Sequence, residues 1–77
     1  MLVKEMIIDE NNIATIPSLG LTFKVNDMAK KIIELIKQDK TKEEIVEIIS
    51  KEENVNWGQV YKDIEDFYIK LKVYGLL

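Results

Sequence analysis

The apolar positions of this 77-residue chain follow two different periods. Leu21, Phe23 and Val25 alternate with Thr22 and Lys24, the two-residue repeat of a strand with one buried face. From Ala29 the spacing becomes Ala29, Ile32, Ile33 and Ile36, which is one face of a helix. Asn26 lies at the change of period, where an N-cap belongs. Upstream, residues 2–8 ("LVKEMII") are rich in strand formers but alternate poorly. "DENN" at 9–12 is a polar turn, "IATI" at 13–16 a second strand that Pro17 ends, and Ser18 to Gly20 a further turn. The first third therefore predicts a three-stranded antiparallel meander with strands at about 2–8, 13–16 and 21–25.

Three helices are expected after it, at about 27–38, 42–53 and 57–74. Thr41 with Glu44 three residues later has capping-box spacing, and Ile45, Ile48 and Ile49, with Val46 alongside, form the buried stripe of the second helix. Asn56 caps the third helix, and Gly75 falls at its C′ position. At about 100° per residue, Tyr74, Phe67, Val60, Leu71, Ile64, Trp57, Tyr68 and Tyr61 follow one another around an arc of about 140°. The aliphatic residues hold its middle and the aromatic ones its flanks. Either the aromatics finish the core with their polar tips in water, or one flank lines a groove in which rigid aromatics anchor a partner. The expected core is Ile32, Ile33, Ile36, Ile45, Ile49, Val60, Ile64, Phe67 and Leu71.

Size and composition narrow the function. A single domain over residues 1–77 is close to the lower limit for folding without staples. There is no Cys and no His, so disulfides, thiolate zinc sites and the commonest acid–base catalyst are excluded. No paired carboxylates point to catalysis, so a non-enzyme without a cofactor is expected. The net charge is −3, concentrated where Glu43, Glu44, Glu47, Glu52 and Glu53 outnumber Lys42 and Lys51, which disfavours nucleic acid as a partner. No apolar run is long enough to span a bilayer. The N-terminal "MLVKEMIIDE" lacks the features of a signal peptide. A cytoplasmic protein is expected.

In order and spacing, these residues resemble the PqqD family, the small proteins and domains known as RiPP recognition elements. The resemblance rests on Val25-Asn26 at the strand-to-helix junction, where the family usually has Leu-Asn, followed by Ala29. It continues through "TKEEIVEII" and "DIEDFYIKLKVYGLL", with Asp63-Ile64, Phe67, Leu71 and the closing Gly75-Leu76-Leu77. It implies an α+β winged helix-turn-helix: a three-stranded antiparallel sheet followed by three helices. It also implies a peptide chaperone, which binds the leader of a ribosomally made precursor peptide and presents it to a modifying enzyme, often a radical SAM enzyme. In that family the leader adds as a strand on the third strand, in the groove between that strand and the third helix.

The residues themselves fit such a mechanism. An edge strand is normally blocked by charge, proline or a covering element, yet Leu21 to Val25 carries one charge and no proline. Strand addition draws affinity from backbone hydrogen bonds and specificity from side-chain pockets. The expected peptide site is Leu21, Thr22, Phe23, Lys24 and Val25 with Tyr61, Ile64, Glu65 and Tyr68, although the pattern does not fix which flank of the third helix faces the strand. The alternatives are a winged-helix DNA-binding module or a general protein-interaction module. Against DNA, the third helix balances Lys62, Lys70 and Lys72 with Asp63, Glu65 and Asp66, a poor set for reading base edges. An acyl carrier protein would need a serine opening a helix. Ser18 lies in a turn and Ser50 late in the second helix.

Overall fold

A computed structural model describes all residues 1–77. Strands β1 (Ile7–Ile8), β2 (Ile13–Ile16) and β3 (Leu21–Lys24) precede helices α1 (Asp27–Lys37), α2 (Lys42–Glu53) and α3 (Trp57–Val73). The sheet is antiparallel in the order β1-β2-β3. The fold is the expected α+β winged helix-turn-helix, with three strands followed by three helices. No helix is long and apolar enough to cross a membrane.

The turns and caps follow from individual side chains. Asp9 Oδ1 accepts hydrogen bonds from the amides of Asn11 and Ile13 at 2.9 and 3.0 Å, which folds the β1–β2 turn with Asn12 at φ +62°. Asparagine tolerates that left-handed conformation better than most residues. The Ala29 amide donates to Asn26 Oδ1 at 2.7 Å, fixing the start of α1 directly after the strand. Thr41 and Glu44 form both halves of the capping box, at 3.1 and 2.8 Å. The Gln59 amide donates to Asn56 Oδ1 at 3.3 Å at the start of α3. At the other end of α3, Leu76 N–H bonds the Leu71 carbonyl at 2.8 Å and Gly75 N–H bonds the Lys72 carbonyl at 3.0 Å. With Gly75 at φ +74°, this is a Schellman closure, and it folds Leu76 back into the core beside Leu71.

The first strand differs from expectation. Only Ile7 and Ile8 pair with β2, while Leu2–Glu5 form a short 3₁₀ helix. The physical reason is visible in the poor alternation of this stretch. Val3 and Met6, both fully buried, are spaced by three residues, the repeat of a 3₁₀ turn. The turn is tied down by Val3 N–H donating to the Leu76 carbonyl at 2.9 Å and by Lys37 Nζ donating to the Met6 carbonyl at 2.6 Å.

The core combines Ala14 and Ile16 of β2, the Ile32–Ile33–Ile36 face of α1, Ile45, Val46 and Ile49 of α2, and Val60, Ile64 and Leu71 of α3. Val3, Met6 and Leu76 complete it. Eight of the nine expected core residues are buried. Phe67 is not: it is half-buried at the margin. In α2 the fully buried stripe takes Val46, and Ile48 is half-exposed.

Candidate functional site

β3 is the free edge of the sheet. It pairs with β2 in the register Ile13–Lys24, Ala14–Phe23, Thr15–Thr22 and Ile16–Leu21. One position beyond, Val25 N–H donates to the Asn12 carbonyl at 2.9 Å, making that pair a hydrogen-bonded one. Hydrogen-bonded pairs alternate along an antiparallel ladder. Leu21, Phe23 and Val25 therefore direct their backbone groups into the sheet, and Thr22 and Lys24 direct theirs outward. The outer edge presents N–H and C=O groups from those two residues with no strand to receive them.

Side-chain direction is the complement of this. Phe23 lies opposite Ala14, and Leu21 opposite Ile16. Directly opposed residues share a face of the sheet, and Ala14 and Ile16 are fully buried. Leu21 and Phe23 thus point to the core face, yet they are 50% and 37% exposed. No helix covers them. Beside them a cleft of about 440 Å³ opens between β3 and the C-terminal half of α3. Met6, Ile16, Ile33, Leu71 and Leu76 come from the core, Leu21, Phe23 and Val25 line the strand side, and Phe67, Lys70 and Tyr74 line the helix side. Lys70 is the one charged residue among them.

The structure divides the expected site. Leu21, Phe23 and Val25 line the cleft and Thr22 and Lys24 hold its open edge, but Tyr61, Glu65 and Tyr68 lie on the other flank of α3, against α2. There Lys42 of α2 pairs with Glu65 and sits 5.7 and 5.8 Å from the ring centres of Tyr61 and Tyr68. Trp57 stacks on Tyr61 with centroids 5.2 Å apart and planes 15° from parallel. The Glu65 hydrogen bond raises the Lys42 pKa above its usual value, against an opposing effect of desolvation. Burial pushes the Tyr68 phenol up. Ile64 is buried between the two flanks. The flank beside β3 is instead Phe67, Lys70, Leu71 and Tyr74. The arc of α3 already separated these two sets, but no sequence spacing states on which side of α3 the second helix packs. The Lys42–Glu65 pair, 23 residues apart, marks the side that α2 takes.

Chemically, the cleft offers an apolar surface, one ammonium group, one phenol and an unpaired row of backbone groups. This equips it to hold an extended peptide. The fold and this open edge define a winged-helix domain with a free sheet edge beside an apolar groove. The chain belongs to the PqqD family, whose model, described as coenzyme PQQ synthesis protein D (PqqD), matches residues 7–77. That family is one of peptide-binding proteins of PQQ biosynthesis. No curated protein and no solved structure matches the chain.

Proposed function

We propose that this chain is a non-catalytic peptide chaperone. It captures the leader of a ribosomally synthesised precursor peptide as a fourth strand on β3 and holds it for a modifying enzyme, of the radical SAM class in many family systems. The observation that carries this reading is the coincidence of two features. The outward backbone groups of Thr22 and Lys24 form an unsatisfied edge, and the apolar cleft opens on the core face of the same strand. A guest strand there gains hydrogen bonds at about 0.5–1.5 kcal/mol each. Its alternate side chains enter the cleft beside Phe23, Val25, Phe67 and Tyr74. A few such bonds with one or two buried anchors reach roughly micromolar affinity after the cost of ordering the peptide. Precursors are made in the cytoplasm, and the chaperone acts there.

Amide hydrogen exchange with and without a leader peptide tests this. Thr22 and Lys24 should gain protection on binding, while the already paired amides of Phe23 and Val25 change less. Protection confined to α1 and α2 would refute strand addition.

A further inference from the structure

Ten of the eleven residues lining the cleft are hydrophobic, and the exception is Lys70. Most other lysines of the chain are engaged: Lys4 with Asp39, Lys31 with Glu52 and Glu53, Lys42 with Glu65, Lys51 with Glu47, and Lys30 and Lys37 with backbone carbonyls. Lys70 makes no ion pair and no side-chain hydrogen bond. It stands exposed on the helix lip of an apolar cleft, where a carboxylate brought in by a docked strand would meet the only charge of the lining.

Resting on the peptide-docking reading above, we infer that Lys70 makes this groove selective for an acidic peptide, one whose added strand carries Asp or Glu on the same face as its apolar anchors. The geometry restricts the spacing. Side chains of a guest strand alternate between faces, and only the face turned towards α3 meets the cleft. The carboxylate therefore stands two or four residues from an apolar anchor, and an odd spacing would send it to the outer face, away from Lys70. The apolar pair is itself spaced i, i+2, opposite the exposed flanks of Leu21 and Phe23.

The test is selection from a display library of random peptides about twelve residues long, which extend to roughly 40 Å, against a longest dimension of 36 Å for the domain. The full chain is compared with Lys70→Met, Lys70→Glu and Lys72→Glu. Lys72 lies in the same last turn of α3 but outside the cleft, so it controls for net charge and for the helix end. The native chain and Lys72→Glu should enrich peptides with an i, i+2 apolar pair and an acid at even spacing. Lys70→Met should lose the acidic preference, and Lys70→Glu should replace it with Lys or Arg. Measured on one enriched acidic peptide, Lys70→Met should weaken binding about three- to tenfold, between the effect of an exposed ion pair and that of a charge-assisted hydrogen bond. Apolar pairs recovered without any acidic preference, or the same preference in Lys70→Glu, would overturn the role of Lys70 and leave strand docking standing. Failure of every version to enrich any peptide would overturn the docking reading itself.

Discussion

Proline at Lys24 separates the outer edge of β3 from everything else in the fold. The Lys24 amide points away from β2, so its loss removes no hydrogen bond of the three-stranded sheet. The preceding residue, Phe23, is already extended within β3, which satisfies the restriction proline places on its neighbour. What disappears is one donor to a guest strand. The net worth of that hydrogen bond is about 0.5–1.5 kcal/mol, and a guest carbonyl left without a partner when partly buried costs about 1–3 kcal/mol. The unpartnered carbonyl sets the expected loss, at about 1–3 kcal/mol, or roughly five- to 150-fold in Kd. Titration calorimetry with the leader peptide measures it, and a thermal melt followed by circular dichroism reports whether the fold survives. Phe23→Pro is the contrast, because its amide bonds Ala14 in the ladder and its loss should lower the melting temperature. Equal affinity of Lys24→Pro and the native chain, with unchanged melting, would refute edge pairing. A collapse of the melt in Lys24→Pro alone would refute the hydrogen-bond register assigned to β3.

Further substitutions probe the core, the caps and the two flanks of α3. Leu71→Ala should destabilise by about 2–5 kcal/mol, a large part of a small domain's stability, since Leu71 is buried and meets Leu76 at the helix closure; an unchanged denaturation curve would contradict that placement. Hydrogen bonds from the Thr41 backbone and side chain hold the Glu44 carboxyl below its usual value near 4.5. A depressed folded-state pKa contributes stability above the unfolded value that is lost as pH falls through the folded one, so Glu44→Gln should flatten stability against pH below about pH 4.5, as read by urea titrations across that range. Thr41→Ala should cost about 0.5–2 kcal/mol as a lost cap, measured in the same titrations at neutral pH. Tyr74→Ala should weaken peptide binding by more than about 1 kcal/mol with little change in melting, whereas Tyr61→Ala should lower stability through the lost Trp57 stack, by about 0.5–1.5 kcal/mol, and leave affinity intact.

Local chemistry was legible in the sequence wherever one residue type decides a conformation. Asn26, Thr41 with Glu44, Asn56 and Gly75 each mark a helix end, and each is found there. The change from two-residue to helical spacing located the boundary between β3 and α1. The N-terminal stretch misled because "LVKEMII" is rich in strand formers while the burial of Val3 and Met6 follows a three-residue spacing. Its conformation depends on contacts with Leu76 and Lys37, far away in sequence. Phe67 read as core because its neighbours on the arc are core, but the open side of the cleft leaves it half-covered. The flank of α3 that faces β3 was not legible either, because it depends on which side α2 packs. Lys70 escaped notice for a related reason: on a helical wheel it is an ordinary exposed lysine, and only the cleft beneath it sets it apart.

The bond from Val3 N–H to the Leu76 carbonyl brings residues near the two ends of the described chain together. Residues 3 and 76 are held at hydrogen-bonding distance, so chain entering before one and chain leaving after the other pass through the same small region. Two such neighbouring ends make a domain portable, able to sit within a surface loop of a larger protein without being stretched. The same region supplies Met6 and Leu76 to the cleft. A host enzyme grafted there would be attached next to the groove and away from the Trp57 end of α3. The attachment point would thus set how far a captured peptide must reach to an active site, and linker length at this junction becomes a parameter for engineering which residue of a bound peptide is delivered.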